Sequence, residues 1–249
     1  MTTVNLTDKV ALVTGGARRV GRAVALQLAE AGMHIALTYR QSSEEARQVV
    51  KLIEKSGRQA VAIQADLSKP DAAEYIHEVF SSHFDSLWTL INNASLFESS
   101  PIGEVKVASY DRQMAVNARA PLMLSQKFTP LLAAHKQPGR IINFIDIHVM
   151  GQPLCQYIAY NASKAALQEI TVTCAMELAP KITVNAIAPG VVAWADSYTE
   201  EQKHQYMKRV PMARPGTPQD AAAAVLYLIR DADYCTGQII KIDGGRLLT

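Results

Sequence analysis

The chain has 249 residues, 49% of them hydrophobic and 19% charged, enough to bury about 70 to 75% of the extended-chain surface without disulfide or metal staples; disorder is excluded. Lys and Arg number 25 against 23 Asp and Glu, and the formal charge of +2 is far from the basic footprint of a nucleic-acid binder. With 13 Gly and 11 Pro the chain is not fibrous or low-complexity either.

Short apolar runs alternate with helical patterns from end to end, the mark of repeated β-α units on a parallel sheet. Seven strands are expected: Val10 to Thr14, Ile35 to Tyr39, Ala60 to Ala65, Leu87 to Ile91, Ile141 to Asp146, Thr183 to Ala188 and Gln238 to Ile242. Most are unbroken Val, Ile, Leu and Ala, as strands covered on both faces require. Helices are expected over Gly21 to Ala31, Ser43 to Lys55, Asp71 to Phe84, one long segment from Tyr110 to His135, and Tyr157 to Leu178. A last helix starts at Thr217-Pro218-Gln219-Asp220, with a capping Thr, a first-turn Pro and an acid in the positive first turn. No linker interrupts the pattern. The fold class is therefore a single doubly wound α/β Rossmann domain over residues 1–249, with helices on both faces. Residues 191–216 differ in texture, with Trp194, Pro211 and Pro215; a substrate lid is favoured there over a long surface connection, because the segment leaves the carboxyl end of a strand.

Thr14-Gly15-Gly16-Ala17-Arg18-Arg19-Val20-Gly21 follows the first strand and opens the first helix. A glycine turn there lets backbone N–H groups and the positive helix end face a pyrophosphate. The second strand ends Thr38-Tyr39-Arg40-Gln41-Ser42, with no carboxylate to take a ribose 2′-OH. Arg40, Arg18 and Ser42 suit a 2′-phosphate instead, so NADPH is the expected cofactor. Tyr160-Asn161-Ala162-Ser163-Lys164 places a phenol and an ammonium on one helical face. A neighbouring cation is expected to lower the phenol pKa toward the range where proton transfer is efficient.

With these motifs in order, the chain resembles the short-chain dehydrogenase/reductases over essentially its whole length. The glycine turn, Asp66-Leu67, Asn92-Asn93-Ala94, Asn117, Tyr160 with Lys164, Pro189-Gly190 and Asp243-Gly244-Gly245 all match. The resemblance implies that Tyr160 is the general acid or base, that Lys164 binds the nicotinamide ribose, that Asn117 carries a relay water and that Asp66 contacts adenine. It also implies a homotetramer built on the helices around Asn117 and Lys164.

Two departures are informative. Asn143-Phe144-Ile145-Asp146 stands where the family usually has a Ser before the Tyr, and Arg19 replaces a common Gly. Both resemble the pteridine reductase branch, as do Ser95 and Phe97 in Asn93-Ala94-Ser95-Leu96-Phe97, and Gln152-Pro153-Leu154 with Tyr157. That resemblance implies a pterin or folate substrate held by Arg19, Ser95, Phe97, Asp146, Tyr160 and Trp194, Phe97 sandwiching it against the nicotinamide. Asp146 alone could instead cap the next segment, and Phe97 could be core. His148 reads as a solvent-facing loop residue and is left outside the site.

The expected activity is NADPH-dependent reduction of a dihydropteridine, whether dihydrobiopterin, dihydromonapterin or dihydrofolate. The alternatives are a carbonyl reductase, for instance of 3-oxoacyl thioesters, and a non-catalytic NADPH sensor, which the intact Tyr160, Lys164 and Asn117 argue against. Cys155, Cys174 and Cys235 lack C-x-x-C spacing and read as buried thiols of a reducing compartment, with no metal site. With no leader pattern in Met1 to Lys9 and no run of about 18 apolar residues, a cytoplasmic protein without a membrane partner is expected.

Overall fold

The computed structural model describes residues 3–194 and 198–249. Seven parallel strands form one sheet in the order β3-β2-β1-β4-β5-β6-β7. They are β1 Val10–Val13, β2 His34–Tyr39, β3 Ala60–Gln64, β4 Thr89–Asn92, β5 Gly139–Phe144, β6 Ile182–Pro189 and β7 Ile239–Ile242. β1 pairs with β2 on one side and β4 on the other, so the winding direction reverses there and a crevice opens at the carboxyl ends.

Helices α1 Arg19–Glu30, α2 Ser43–Lys55 and α8 Pro218–Arg230 bury Val24, Leu28, Val49, Val225 and Leu228 against one face. Helices α3 Ala72–Ser81, α5 Ala120–Ala133 and α6 Ile158–Leu178 cover the other, where the Phe80 and Phe128 rings meet edge to face at 5.2 Å. α8 begins as its sequence requires: Thr217 accepts the Asp220 N–H, and the Asp220 carboxylate accepts the Thr217 N–H.

The long helix expected from Tyr110 to His135 is in three pieces: α4 Val107–Met114, a π-turn over Ala115–Arg119, and α5. The reason is local. Pro121 has no N–H to return to the Asn117 carbonyl, and the widened turn accommodates the loss. α7, Glu200–Met207, lies inside the 191–216 segment, and Thr199 and Gln202 close a capping box at its start. The cysteines are free, but Cys155 is exposed on the loop before α6 and the other two are half-buried, so the expectation of three buried thiols is corrected.

Candidate active site

The glycine turn is held from below by two threonines. Thr14 Oγ1 accepts the N–H groups of Asn93 and Ala94, each at 3.0 Å, and Thr38 Oγ1 accepts that of Gly15 at 3.2 Å. Gly15 has φ +64°, which a side chain would strain. A Cβ at Gly21 would lie 2.2 Å from the Gly15 carbonyl oxygen and 2.6 Å from Asn93 Nδ2. Gly21→Ala should therefore lower stability by about 1 to 3 kcal/mol through overpacking and spread the turn; urea unfolding and an NADPH titration should show both losses together.

α1 has no side-chain cap on its first turn and no acidic residue in it. Its leading N–H groups and positive dipole end thus face the crevice unneutralised, whereas α2 carries Glu44 and Glu45 at the same place. Gly15, Arg18, Arg19, Gly21, Tyr39, Arg40, Asp66, Leu67, Asn93, Ala94, Pro189 and Gly190 line one end of a cavity of about 520 Å³. This turn, open helix end and basic rim fit a dinucleotide phosphate chain. Two expected residues do not reach the cavity. Asn92 is buried and donates to Asn143 Oδ1 at 2.8 Å, tying β4 to β5. Ser42 ends at the N-terminus of α2, outside the wall, with its hydroxyl making no cap bond. Arg18 is partly committed elsewhere, 3.8 Å from Glu45, so Arg40 is the freer cation. Asp66 accepts the Ser68 N–H at 3.0 Å, and its hydrogen bonds to Ser68 hold its carboxyl below the usual range.

At the other end Tyr160 donates its phenol hydrogen to Asp146 Oδ2 at 2.7 Å. Asp146 Oδ1 accepts the His148 N–H at 2.8 Å and caps a 3-10 turn over Ile147–Val149, so the carboxylate both caps and holds Tyr160. Lys164 is buried, with Nζ donating to the Phe144 carbonyl at 2.6 Å and lying 5.9 Å from the Tyr160 ring. Burial brings Lys164 down to about 8, opposed by the Asp146 charge. The phenol moves opposite to expectation: burial, then the Asp146 charge and hydrogen bond, push Tyr160 well above its ordinary value. Burial of the hydroxyl dominates, and the carboxylate at 2.7 Å adds to it.

Asn117, in the π-turn, has its whole amide engaged. Its Nδ2 donates to the Leu96 carbonyl and Ser163 Oγ at 2.8 and 2.9 Å, and its Oδ1 accepts from Leu96 N at 2.7 Å and Ser95 Oγ at 3.3 Å. The side chain is filled and positions the Ser95-Leu96 segment, so a relay water at Asn117 would meet its main-chain carbonyl, to which Pro121 has no N–H to donate. Phe97 stacks on Tyr157 at 4.4 Å and meets Tyr160 edge-on at 4.8 Å, on the cavity wall. Arg19, at φ +51°, stands where glycine would be unstrained, and its guanidinium donates to the Trp194 carbonyl, linking the glycine turn to the 191–216 segment. Only one guanidinium nitrogen is engaged there, and Arg19 lines the cavity with its other N–H donors unspent.

Sequence reasoning missed part of the wall. His148 is buried and lines the cavity, not the solvent, and Tyr198 and Tyr206 line it beside the expected Trp194. Trp194 meets Tyr198 at 5.4 Å and Tyr206 at 5.6 Å between centroids. Aromatic residues four and twelve positions after Trp194 were the available signal. Residues 195–197 of the expected lid lie outside those described. Among the described residues no helix is long and apolar enough to cross a membrane.

A family model described as enoyl-(acyl carrier protein) reductase matches residues 15–246. The chain belongs to the short-chain dehydrogenase/reductase family, NAD(P)-dependent oxidoreductases acting on small molecules. A 3-oxoacyl-[acyl-carrier-protein] reductase FabG of Staphylococcus epidermidis is 36% identical, over 96% of this chain and 98% of that protein. A 3-oxoacyl-[acyl-carrier-protein] reductase of Synechocystis is 34% identical over 98% of each. Among solved structures, FolM alternative dihydrofolate reductase 1 from Brucella canis, complexed with NADP, aligns with a TM-score of 0.91 at 33% identity, covering 98% of this chain and 96% of that one.

Proposed function

We propose that the protein is an NADPH-dependent pteridine reductase that converts a dihydropteridine, such as dihydrobiopterin, dihydromonapterin or dihydrofolate, to its tetrahydro form. The observation that carries this is the Asp146 carboxylate on the Tyr160 hydroxyl at 2.7 Å. An ionised carboxylate only accepts hydrogen bonds, so it repels a ketone oxygen that a serine hydroxyl would hold. It suits a heterocycle that offers N–H donors and takes a proton at a ring nitrogen.

Bound NADPH supplies the hydride. The backbone of Gly15 to Gly21 and the open end of α1 would hold the phosphates, Arg40 with Arg18 the 2′-phosphate, Asp66 and Leu67 the adenine, Lys164 the ribose, and Asn93, Pro189 and Gly190 the remaining wall. Phe97 and Ser95 would flank the substrate ring. Tyr160 gives its proton to the ring nitrogen, and the Asp146 carboxylate then carries a solvent proton back to Tyr160 Oη, restoring the starting pair. Lys164 offsets negative charge on this pair. A homotetramer is proposed with it, supported by exposed Val107 on α4 and Met176 on α6. The 191–216 segment is proposed as the lid.

The curated relatives favour a second reading, reduction of 3-oxoacyl thioesters, and by identity they support it better than a single dihydrofolate reductase structure supports a pterin. One panel decides: NADPH oxidation with dihydropteridines, dihydrofolate and an acetoacetyl thioester. Pterin turnover is expected; thioester turnover without it overturns the reading, and no turnover at all favours an NADPH-binding sensor.

A further inference from the structure

His148 is a wall residue whose ring neither the glycine turn nor the Tyr160 group uses. Its Nδ1 lies 2.8 Å from the Gln152 carbonyl, which can only accept, so Nδ1 carries the hydrogen and Nε2 of the neutral ring is left with a lone pair. Nε2 makes no hydrogen bond among the described residues, while the ring lines the cavity. The imidazole is held on three sides. Its main-chain N–H is fixed by Asp146, the carboxylate that holds Tyr160. Gln152 is itself clamped, its Nε2 donating to the Thr249 carbonyl at 2.8 Å and its Oε1 accepting from Arg209 at 2.8 Å and from Arg246. The Tyr206 ring of α7 meets His148 edge-on at 6.2 Å, with the Arg246 guanidinium 5.0 Å from its centroid.

The same wall holds a second unmatched group. The Tyr206 hydroxyl is buried and has no partner among the described residues, a costly arrangement unless a ligand completes it. A lone-pair acceptor and an unspent, solvent-shielded O–H donor thus sit on adjoining rings, and both residues line the cavity that holds the Asp146 and Tyr160 pair. A substrate hydroxyl satisfies both at once, since it donates and accepts; a methyl group satisfies neither.

We propose that His148 and Tyr206 form a specificity-determining subsite that reads a hydroxylated arm of the substrate, His148 Nε2 accepting from an arm hydroxyl and Tyr206 donating to it. This rests on the pterin reading, to which it adds which part of the substrate is recognised. Sites built to hydrogen-bond a hydroxyl discriminate strongly against the analogue lacking it.

The test compares dihydrobiopterin, which carries a dihydroxypropyl arm, with a dihydropterin bearing only a methyl there. In His148→Phe the ratio of kcat/KM for the two substrates should fall about tenfold, mainly through KM for the hydroxylated one, as loss of about 1.4 kcal/mol implies. His148→Gln, whose amide oxygen also accepts, should recover the ratio to within about threefold, and Tyr206→Phe should lower it by about threefold or more. A merely structural role lowers both substrates alike, and a ratio unchanged within about twofold overturns the inference. Should His148→Phe fail to bind NADPH, Tyr206→Phe carries the test, because it removes only an unpartnered hydroxyl. Wild-type enzyme that turns over the methyl compound shows the pterin reading to stand whatever the ratio does; turnover of neither pterin overturns both.

Discussion

Asp146→Ser is expected to lower dihydropterin turnover by about 10²-fold or more and, in the same protein, to raise acetoacetyl thioester reduction above that of the wild type. The opposite signs follow from one change of chemistry. Serine restores a hydroxyl donor that can hold a ketone oxygen and removes the charge that adds to burial in pushing the Tyr160 phenol upward. It also removes the group that returns a proton to Tyr160 in the pterin reaction. The fold should tolerate the change, because Asp146 caps only the turn Ile147–Val149 and Ser is an equally good N-cap. Tyr160→Phe is the companion: it deletes the proton-carrying oxygen and should abolish turnover of any substrate class while NADPH titrates near normally. Steady-state rates with both substrates check the pair. If Asp146→Ser left pterin turnover intact, the carboxylate would have no part in the proton path, and the thioester reading would gain what the pterin reading lost.

The sheet was legible because each strand is a short apolar run bounded by a helix, and buried parallel strands need no more than that; β1 to β7 all fall within two residues or so of their expected limits. The interruption at Asn117 was passed over although Pro121, well inside the helix expected from Tyr110 to His135, signalled it: a proline there has no N–H to return to the carbonyl four residues before. The site divides in the same way. Gly21, Tyr160, Lys164 and Arg40 are set by local spacing and were readable. Whether Asn92 or Asn93 faces the cavity depends on strand pleat, which turns Asn92 onto β5 and leaves Asn93 on the wall. Direction of a pKa shift was also beyond sequence. The Tyr160 and Lys164 pair promised a lowered phenol, but the fold buries the hydroxyl and brings Asp146, fourteen residues away in the chain, onto it. His148 and Tyr206 come together only through the C-terminal clasp of Gln152, Arg209 and Thr249, three segments with no common sequence period.

At the opposite end of the cavity, Arg40→Asp should move cofactor preference from NADPH toward NADH. Arg40 stands exposed on the cavity rim where β2 ends, and the Ser42 hydroxyl that was expected to assist it lies outside the wall. Arg18 is shared with Glu45 at 3.8 Å, so Arg40 supplies most of the charge available to a 2′-phosphate. One charge-assisted pair of hydrogen bonds to phosphate contributes about 1.5 to 3 kcal/mol, so its loss weakens NADPH binding by about 10- to 10²-fold. The aspartate adds repulsion of the phosphate and, for NADH, an acceptor for the ribose 2′-OH, so NADH affinity should rise. Because the group is exposed, wild-type NADPH affinity should also fall with added salt more steeply than NADH affinity, and the mutation should erase that difference. Fluorescence titration of both cofactors at low and high ionic strength measures all four quantities. An Arg40→Asp protein that still preferred NADPH, with its salt dependence intact, would transfer the phosphate site to Arg18, and Glu45→Gln, which frees that arginine, should then tighten NADPH binding further.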